Sequence, residues 1–378
     1  RSPSRGLGDV YKRQYKNCVE HWEKLDEYER LNTSLGAFAK GFEIPEHFTR
    51  KVRRTMGNVA LMAVVTAEEA LRNSGLSGDK VITNGRTGVS YGSSTGSLDA
   101  ILDFYSMCID KEVKLLNSGS YIKMMPQTTA VNISLYFQTH GRLIPTSTAC
   151  TSGSMGIGYA YEAIKDGYQD VMIAGGAEEI HPTQVGVFDT LYATSSKNNT
   201  PELTPSPFDK KRDGLVIGEG AGTLILEEYE HAKARGAHIY CEMVGYGVSC
   251  DAYHMTAPAP EGIGGAKAMI NALQDASLEA NQIDYINAHG TSTPMNDKLE
   301  TAAIKKAFKN HAHKVAVSST KGNTGHCLGA AGGIEGVLCV KALEDNFIPA
   351  TINYQNFDEE CDLDIVANHV RKQVLNYV

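Results

Sequence analysis

The amino-acid sequence predicts an α/β protein built as two similar halves, on three observations. Short apolar, β-branched runs alternate with segments of helical spacing along nearly the whole chain, the order that yields sheets covered by helices. A buried strand, a loop carrying reactive side chains and a Gly/Ala-rich helix occur around Cys150 and again around Thr320, a repetition of pattern rather than of sequence. The composition, 42% hydrophobic and 21% charged over 378 residues, provides ample core for two domains or one large doubled one. The halves are expected to span residues 15–237 and 238–378.

Arg1 to Gln14 is basic and Gly/Ser-rich with no apolar stretch, so it does not read as a signal peptide; it is expected to be a non-native or disordered segment. Tyr15 to Arg30 has apolar positions at helical spacing among charges and predicts a surface helix. Val59 to Leu71 predicts a largely apolar helix closed by Asn73-Ser-Gly75. Thr87 to Tyr91 reads as a buried strand, Gly92 to Ser97 as a connecting turn without the Lys-Ser/Thr ending of a phosphate loop, and Leu98 to Ile109 as a helix. Leu143 to Ala149 is a strand-like run. The segment from Cys150 to Ala163 is small and apolar nearly all round, predicting a helix buried on every side. Val171 to Gly175 and Thr223 to Glu227 are strands. The second half is expected to run strand (Ile239 to Val248), helix (Gly264 to Ala276), strand (Asp284 to Ala288), helix (Asp297 to Phe308), strand (Val315 to Ser319) and helix (Leu328 to Leu343).

A formal charge of −8 argues against a general nucleic-acid or anionic-membrane binder. No apolar run approaches the roughly 18 residues of a membrane span. Eight cysteines are scattered without a C-x-x-C pair, which points to reduced thiols in the cytoplasm rather than to a disulfide scaffold or a zinc knuckle. The cluster Arg50, Lys51, Arg53 and Arg54 is a basic island in an acidic chain: either a solvated face or a docking site for an acidic partner.

Three stretches carry chemistry. Cys150 lies in Thr148-Ala-Cys-Thr-Ser-Gly153, at a strand-to-helix junction where unpaired N–H groups and the helix dipole favour a thiolate. By itself such a cysteine is as readily a small buried hydrophobe. His289 lies in Asn287-Ala-His-Gly-Thr-Ser-Thr-Pro294 and His326 in Lys321-Gly-Asn-Thr-Gly-His-Cys-Leu-Gly-Ala-Ala-Gly-Gly333. Each follows a predicted strand, the place where ligands gather in α/β sheets. One cysteine and two histidines suit acyl chemistry on thioesters: the thiolate takes the acyl group, and two imidazoles stabilise a developing oxyanion or enolate. His311 and His313, in a polar connection, read as structural.

These stretches, with Ala174-Gly-Gly-Ala-Glu178, Arg212-Asp-Gly214 and Ser249-Cys-Asp-Ala-Tyr-His-Met255, resemble the elongating β-ketoacyl-ACP synthases of type II fatty-acid synthesis, from about Leu61 to the C-terminus. The resemblance implies a thiolase-like fold, two similar halves forming a five-layered α/β/α/β/α core, usually in a homodimer. It implies that Cys150 is the acyl-accepting nucleophile and that His289 and His326 flank the malonyl site. Lys321 matches the family's active-site lysine, Glu335 a buried glutamate of its network and Asp297 a further member. Thr291 and Thr293 match hydroxyls that bind the phosphopantetheine arm. No metal and no intrinsic cofactor are implied, the substrates being carried on the phosphopantetheine of acyl carrier protein. That acidic partner would dock on the basic cluster, where Lys51 and Arg54 fit best. The reaction implied is transfer of an acyl group from acyl-ACP to Cys150, then decarboxylative condensation with malonyl-ACP to 3-oxoacyl-ACP.

The residue at each position separates relatives: thiolases have a second cysteine, and chain-initiating synthases an asparagine, where this chain has His326. Modular polyketide ketosynthases share Cys-His-His in different surroundings. The family also begins with a strand and a Thr-Gly-rich turn, and closes on Asn-Ser-Phe-Gly-Phe-Gly-Gly-Thr-Asn, neither of which this sequence contains. In the family that closing loop supplies a gating phenylalanine and one oxyanion N–H, a donor worth on the order of 100-fold in rate. Three other readings therefore stand: a truncated, inactive fragment that only binds acyl chains or carrier protein, a ketosynthase of a specialised polyketide or polyene pathway, and a cysteine hydrolase.

Overall fold

The computed structural model describes residues 16–378, so the segment Arg1 to Gln14 lies outside them. The chain enters with β1 (Val19–His21) and β2 (Leu35–Ala37), an antiparallel pair in register Val19↔Ala37. The surface helix expected over 15–30 is replaced by β1 and a single 3-10 turn, Glu23–Glu27. Pairing with β2 claims the backbone, and Trp22 donates its N–H to the Ser34 carbonyl, so Leu25 is buried from a turn rather than from a helix face.

The first half is organised on a four-stranded sheet. It comprises β3 (Thr87–Gly92), β4 (Leu143–Thr146), β5 (Val171–Glu178) and β6 (Gly220–Glu227), in the order β4-β3-β5-β6. β3 runs parallel to both β4 and β5, while β6 is antiparallel to β5. β3 and β5 are buried at every position, as continuous apolar strands covered on both faces must be. The helices of this half are α1 (Asn58–Asn73), α2 (Asp99–Asp110), α3 (Ser118–Met124), α4 (Thr128–Phe137), α5 (Ser152–Lys165), α6 (Pro182–Thr190) and α7 (Tyr229–Ala234). α1 and α4 cover one face of the sheet and α5 the other.

The second half contributes α8 (Ile263–Ala276), β7 (Tyr285–Asn287), α9 (Pro294–Phe308), β8 (Ala316–Ser318), α10 (Lys321–Thr324), α11 (Ala331–Asp345), β9 (Phe347–Ile348), β10 (Asp364–Ile365) and β11 (Arg371–Lys372). β10, β8 and β7 form a parallel sheet, and β11 pairs antiparallel with β9. α8 and α9 cover its outer face through Ala266, Ala303 and Ile304, and α11 packs against its inner face through Ala342.

The layers thus run α, β, α, β, α, with α5 and α11 together in the middle. The glycines of these two helices allow that contact: a Cβ on Gly153 would lie 2.7 Å from the Gly333 nitrogen and 2.9 Å from the Gly329 carbonyl oxygen, so the backbones touch directly. α5 is not buried on every side as expected, however. Ser154 and Glu162 are exposed and Tyr159 half-buried, because burial on this helix is confined to small residues, which face α11, the sheet and the Tyr246 ring. The expected strand Ile239 to Val248 is also absent, since the segment has no ladder partner among the described residues. It runs instead against α8, with Gly245 and Gly247 in contact with the backbone at Ala272.

Candidate active site

Cys150 sits between β4 and α5, in a loop tied by Ser152. The Ser152 hydroxyl donates to the Ala149 carbonyl at 2.6 Å and accepts from the Thr148 N–H at 2.9 Å, and the Thr146 hydroxyl donates to the Ser152 carbonyl at 2.7 Å. Ala149 is held at φ +52°, a left-handed conformation costing a non-glycine residue about 1–2 kcal/mol. The strained turn aims Cys150 at the C-terminal ends of the strands.

His326 arrives from the second half on a backbone bracketed by the first: its N–H donates to the Val216 carbonyl at 2.7 Å and its carbonyl accepts from Gly218 at 3.0 Å. That bracket is the role of the glycine-rich run after Arg212-Asp-Gly214. The His326 Nε2 lies 2.9 Å from the Cys150 Sγ. His289 completes the group, its ring edge-on to His326 with centroids 5.1 Å apart. One ligating atom from each of the three residues lies within 4.8 Å of the others, so all three reach one reacting group.

Lys321, only 1% exposed at the start of α10, donates to Glu335 of α11 at 2.5 Å. Burial, reinforced by the charge of Lys321, pushes both imidazoles well below the ordinary histidine range, so both are neutral at pH 7. Burial pushes the Cys150 thiol up to about 11, with Lys321 pulling the other way. Desolvation of the sulfur thus opposes the thiolate that the strand-to-helix junction favours, and the His326 Nε2 is the imidazole nitrogen beside it.

The two carboxylates expected beside the lysine fall in different places. Glu335 pairs with Lys321, whereas Asp297, fully buried and pushed up to about 6 by burial, accepts from the backbone N–H groups of Phe208 at 2.7 Å and Ser292 at 3.2 Å. It braces the loop after His289 rather than touching Lys321. Glu300 does closer work that the sequence reading missed, accepting the N–H groups of His289 and Gly290 at 2.6 and 2.7 Å. Its signal was the i, i+3 spacing from Asp297, which puts both carboxylates on the face of α9 that meets this loop. The hydroxyls of Thr291 and Thr293 lie 3.0 Å apart, and Thr293 also caps α9. Arg50, Lys51, Arg53 and Arg54 are all exposed, around the 3-10 turn Val52–Thr55.

Among the described residues no carboxylate orients either imidazole: the buried His326 Nδ1 has no hydrogen-bond partner, and Glu300 contacts only backbone at His289. A hydrolase dyad backed by an acid is not built here.

The chain matches the model of the β-ketoacyl synthase N-terminal domain over residues 14–232 and that of the C-terminal domain over 240–355. It is 40% identical to a Vibrio harveyi 3-oxoacyl-[acyl-carrier-protein] synthase 2, covering 95% of this chain and 86% of the relative. It is 44% identical to the enzyme of that name from Coxiella burnetii, over 92% and 84%. Its structure is similar to the crystal structure of a β-ketoacyl synthase from Burkholderia phymatum, with a TM-score of 0.92 and 47% identity over 96% of this chain and 88% of that one. A type II PKS ketosynthase in complex with its acyl-carrier protein and bound to the hexaketide superposes at a TM-score of 0.85, with 31% identity over 96% and 88%. The chain belongs to the β-ketoacyl synthase family and has its thiolase-like α/β fold.

Proposed function

We propose that this chain is a 3-oxoacyl-ACP synthase in which Cys150 carries the acyl group, and that the observation carrying the assignment of roles is the 2.9 Å contact between the Cys150 Sγ and the neutral His326 Nε2. In the first stage the thiol proton passes to His326 as sulfur attacks the acyl-ACP carbonyl; the carrier thiol leaves with a proton and the acyl group remains as a thioester on Cys150. Cys150 borders an apolar cluster of Val185, Leu215, Ile217, Leu328 and Phe188, a fitting environment for an aliphatic chain.

In the second stage malonyl-ACP loses carbon dioxide. The resulting enolate oxygen accepts the N–H of His289 and, once the thiol proton is gone and His326 carries its single proton on Nε2 rather than on the unpartnered Nδ1, that of His326 as well. Its carbon attacks the Cys150 thioester, and the sulfur leaves as a thiolate that takes up a proton from solvent, giving 3-oxoacyl-ACP. Burial keeps both imidazoles neutral, and the charge of Lys321, which is paired with Glu335, reinforces it. Thr291 and Thr293 are placed to hold the phosphopantetheine arm beside His289.

Acyl carrier protein is the partner we assign to Lys51 and Arg54, with Arg50 and Arg53 beside them. Their exposure supports it, as does the carrier-bound ketosynthase relative. A homodimer is supported by β4, an edge strand whose Leu143 is 43% exposed, an arrangement that invites pairing with a second copy. We place the boundary of the two halves near residue 237 and the enzyme in the cytoplasm; no helix among the described residues is long and apolar enough to cross a membrane.

The test is mass spectrometry of products from a panel of acyl-ACPs with malonyl-ACP. Chains extended by two carbons as 3-oxoacyl-ACP are expected. A stable enzyme adduct without extended product would favour a binding-only fragment, and rapid release of free acid a hydrolase.

A further inference from the structure

We infer that Glu178, at the end of β5, is a positioning residue that holds the Cys150 loop and the His326 loop together. Its carboxylate is fully buried and collects five donors. Oε2 accepts the N–H of Ser94 at 2.7 Å and of Gly329 at 3.0 Å, together with the Ser94 hydroxyl; Oε1 accepts the hydroxyls of Ser93 at 3.1 Å and Thr95 at 3.2 Å.

The two backbone donors belong to different halves of the active site. Ser93 and Ser94 lie against the approach to Cys150: the Ser93 N–H donates to the Thr146 carbonyl at 3.2 Å, and the Ser147 hydroxyl to the Ser94 carbonyl at 3.4 Å. Gly329 lies three residues past His326, directly after Leu328, whose φ of +43° is another strained left-handed position and whose side chain packs in the apolar cluster with Cys150. A strained turn persists only where its surroundings over-determine it, and Glu178 is the anchor of this one. Two N–H groups cannot act as acceptors, so the oxygen they share accepts from both loops even though burial pushes the Glu178 carboxyl above the usual carboxylate range.

The inference rests on the reading of Cys150 and His326 as the reacting pair, and two variants test it. Glu178→Gln keeps the reach: the amide oxygen can accept both N–H groups while its NH2 donates to hydroxyls that turn to accept. With both loops still tied, its kcat and its iodoacetamide alkylation of Cys150 are expected to stay within about twofold of wild type from pH 7 to 9. Glu178→Asp is one methylene too short to hold both loops. Its alkylation profile should match wild type, while kcat for condensation falls roughly ten- to a hundred-fold, as expected for a displacement of about 1 Å at a reacting pair, with little change in KM for malonyl-ACP. If both variants lose thermal stability while the alkylation profile and kcat of the folded protein stay at wild-type values, Glu178 is merely structural and the inference is overturned. Should Glu178→Gln fail to fold, Glu178→Asp alone decides through kcat against KM. Alkylation that does not fall on Cys150 in peptide mapping would overturn the underlying site reading instead.

Discussion

Replacing Lys321 with methionine keeps most of the volume of the stem and removes one buried charge. Glu335 then faces a buried site without its counter-charge, a change that costs roughly 3–5 kcal/mol when the remaining partner stays ionised. Glu335 has an alternative. Burial already raises it and Lys321 is the first influence holding it down, so in Lys321→Met it takes up a proton in the folded state. Its folded pKa then lies further above the unfolded value, so the folded state binds more protons and stability falls as pH rises toward that folded pKa, by about 1.4 kcal/mol per unit. The deficit in urea denaturation relative to wild type should therefore be small near pH 5 and grow toward pH 8. The histidines move the same way. Lys321 helps depress both, so without it His289 and His326 protonate at higher pH, and the acid limb of kcat/KM shifts upward. Condensation assays from pH 5 to 9 beside urea titrations test this directly. A stability deficit that is flat with pH, together with an unmoved acid limb, would refute the claim that Lys321 sets the electrostatics of the site.

The remaining predictions concern packing and partner binding. Gly153→Ala drives a Cβ to 2.7 Å from the Gly333 nitrogen, which should lower stability by about 1–3 kcal/mol, visible as a reduced urea midpoint at unchanged slope. Lys51→Glu with Arg54→Glu, both on the exposed 3-10 turn and away from the reacting atoms, should raise KM for acyl-ACP severalfold with kcat preserved, and weaken its dependence on salt. Equal losses with a pantetheine substrate lacking the carrier protein would show that the cluster acts on something other than docking.

The parts of the fold legible in the sequence are those whose signal is local. α1, β3, β5 and α9 announce themselves through apolar periodicity and caps, and their observed bounds differ from expectation by a few residues at most. The segments misread are those decided by partners distant in the chain. Residues 15–30 carry helical spacing, yet Val19 to His21 pairs with a strand sixteen residues on, and Ile239 to Val248 has strand-like composition without a neighbouring strand to bond. The site divides in the same way. Cys150, His289 and His326 stand out because reactive side chains among glycines after a strand are rare, whereas Glu300 and Glu178 look like ordinary acidic residues. Their importance comes from the backbone N–H groups that folding brings to them, in one case from the far half of the chain. The turn Gly92 to Ser97, read as a plain connection, acquires its meaning from that same carboxylate.

The most direct test of the central claim is to offer acyl-ACP to the protein and map the added mass by peptide mass spectrometry. The account predicts one acyl group per chain, on Cys150, none on Cys150→Ser under the same thioester-selective hydroxylamine release, and discharge of the adduct as 3-oxoacyl-ACP when malonyl-ACP follows. An acyl group found on another cysteine, or turnover that survives in Cys150→Ser, would contradict it.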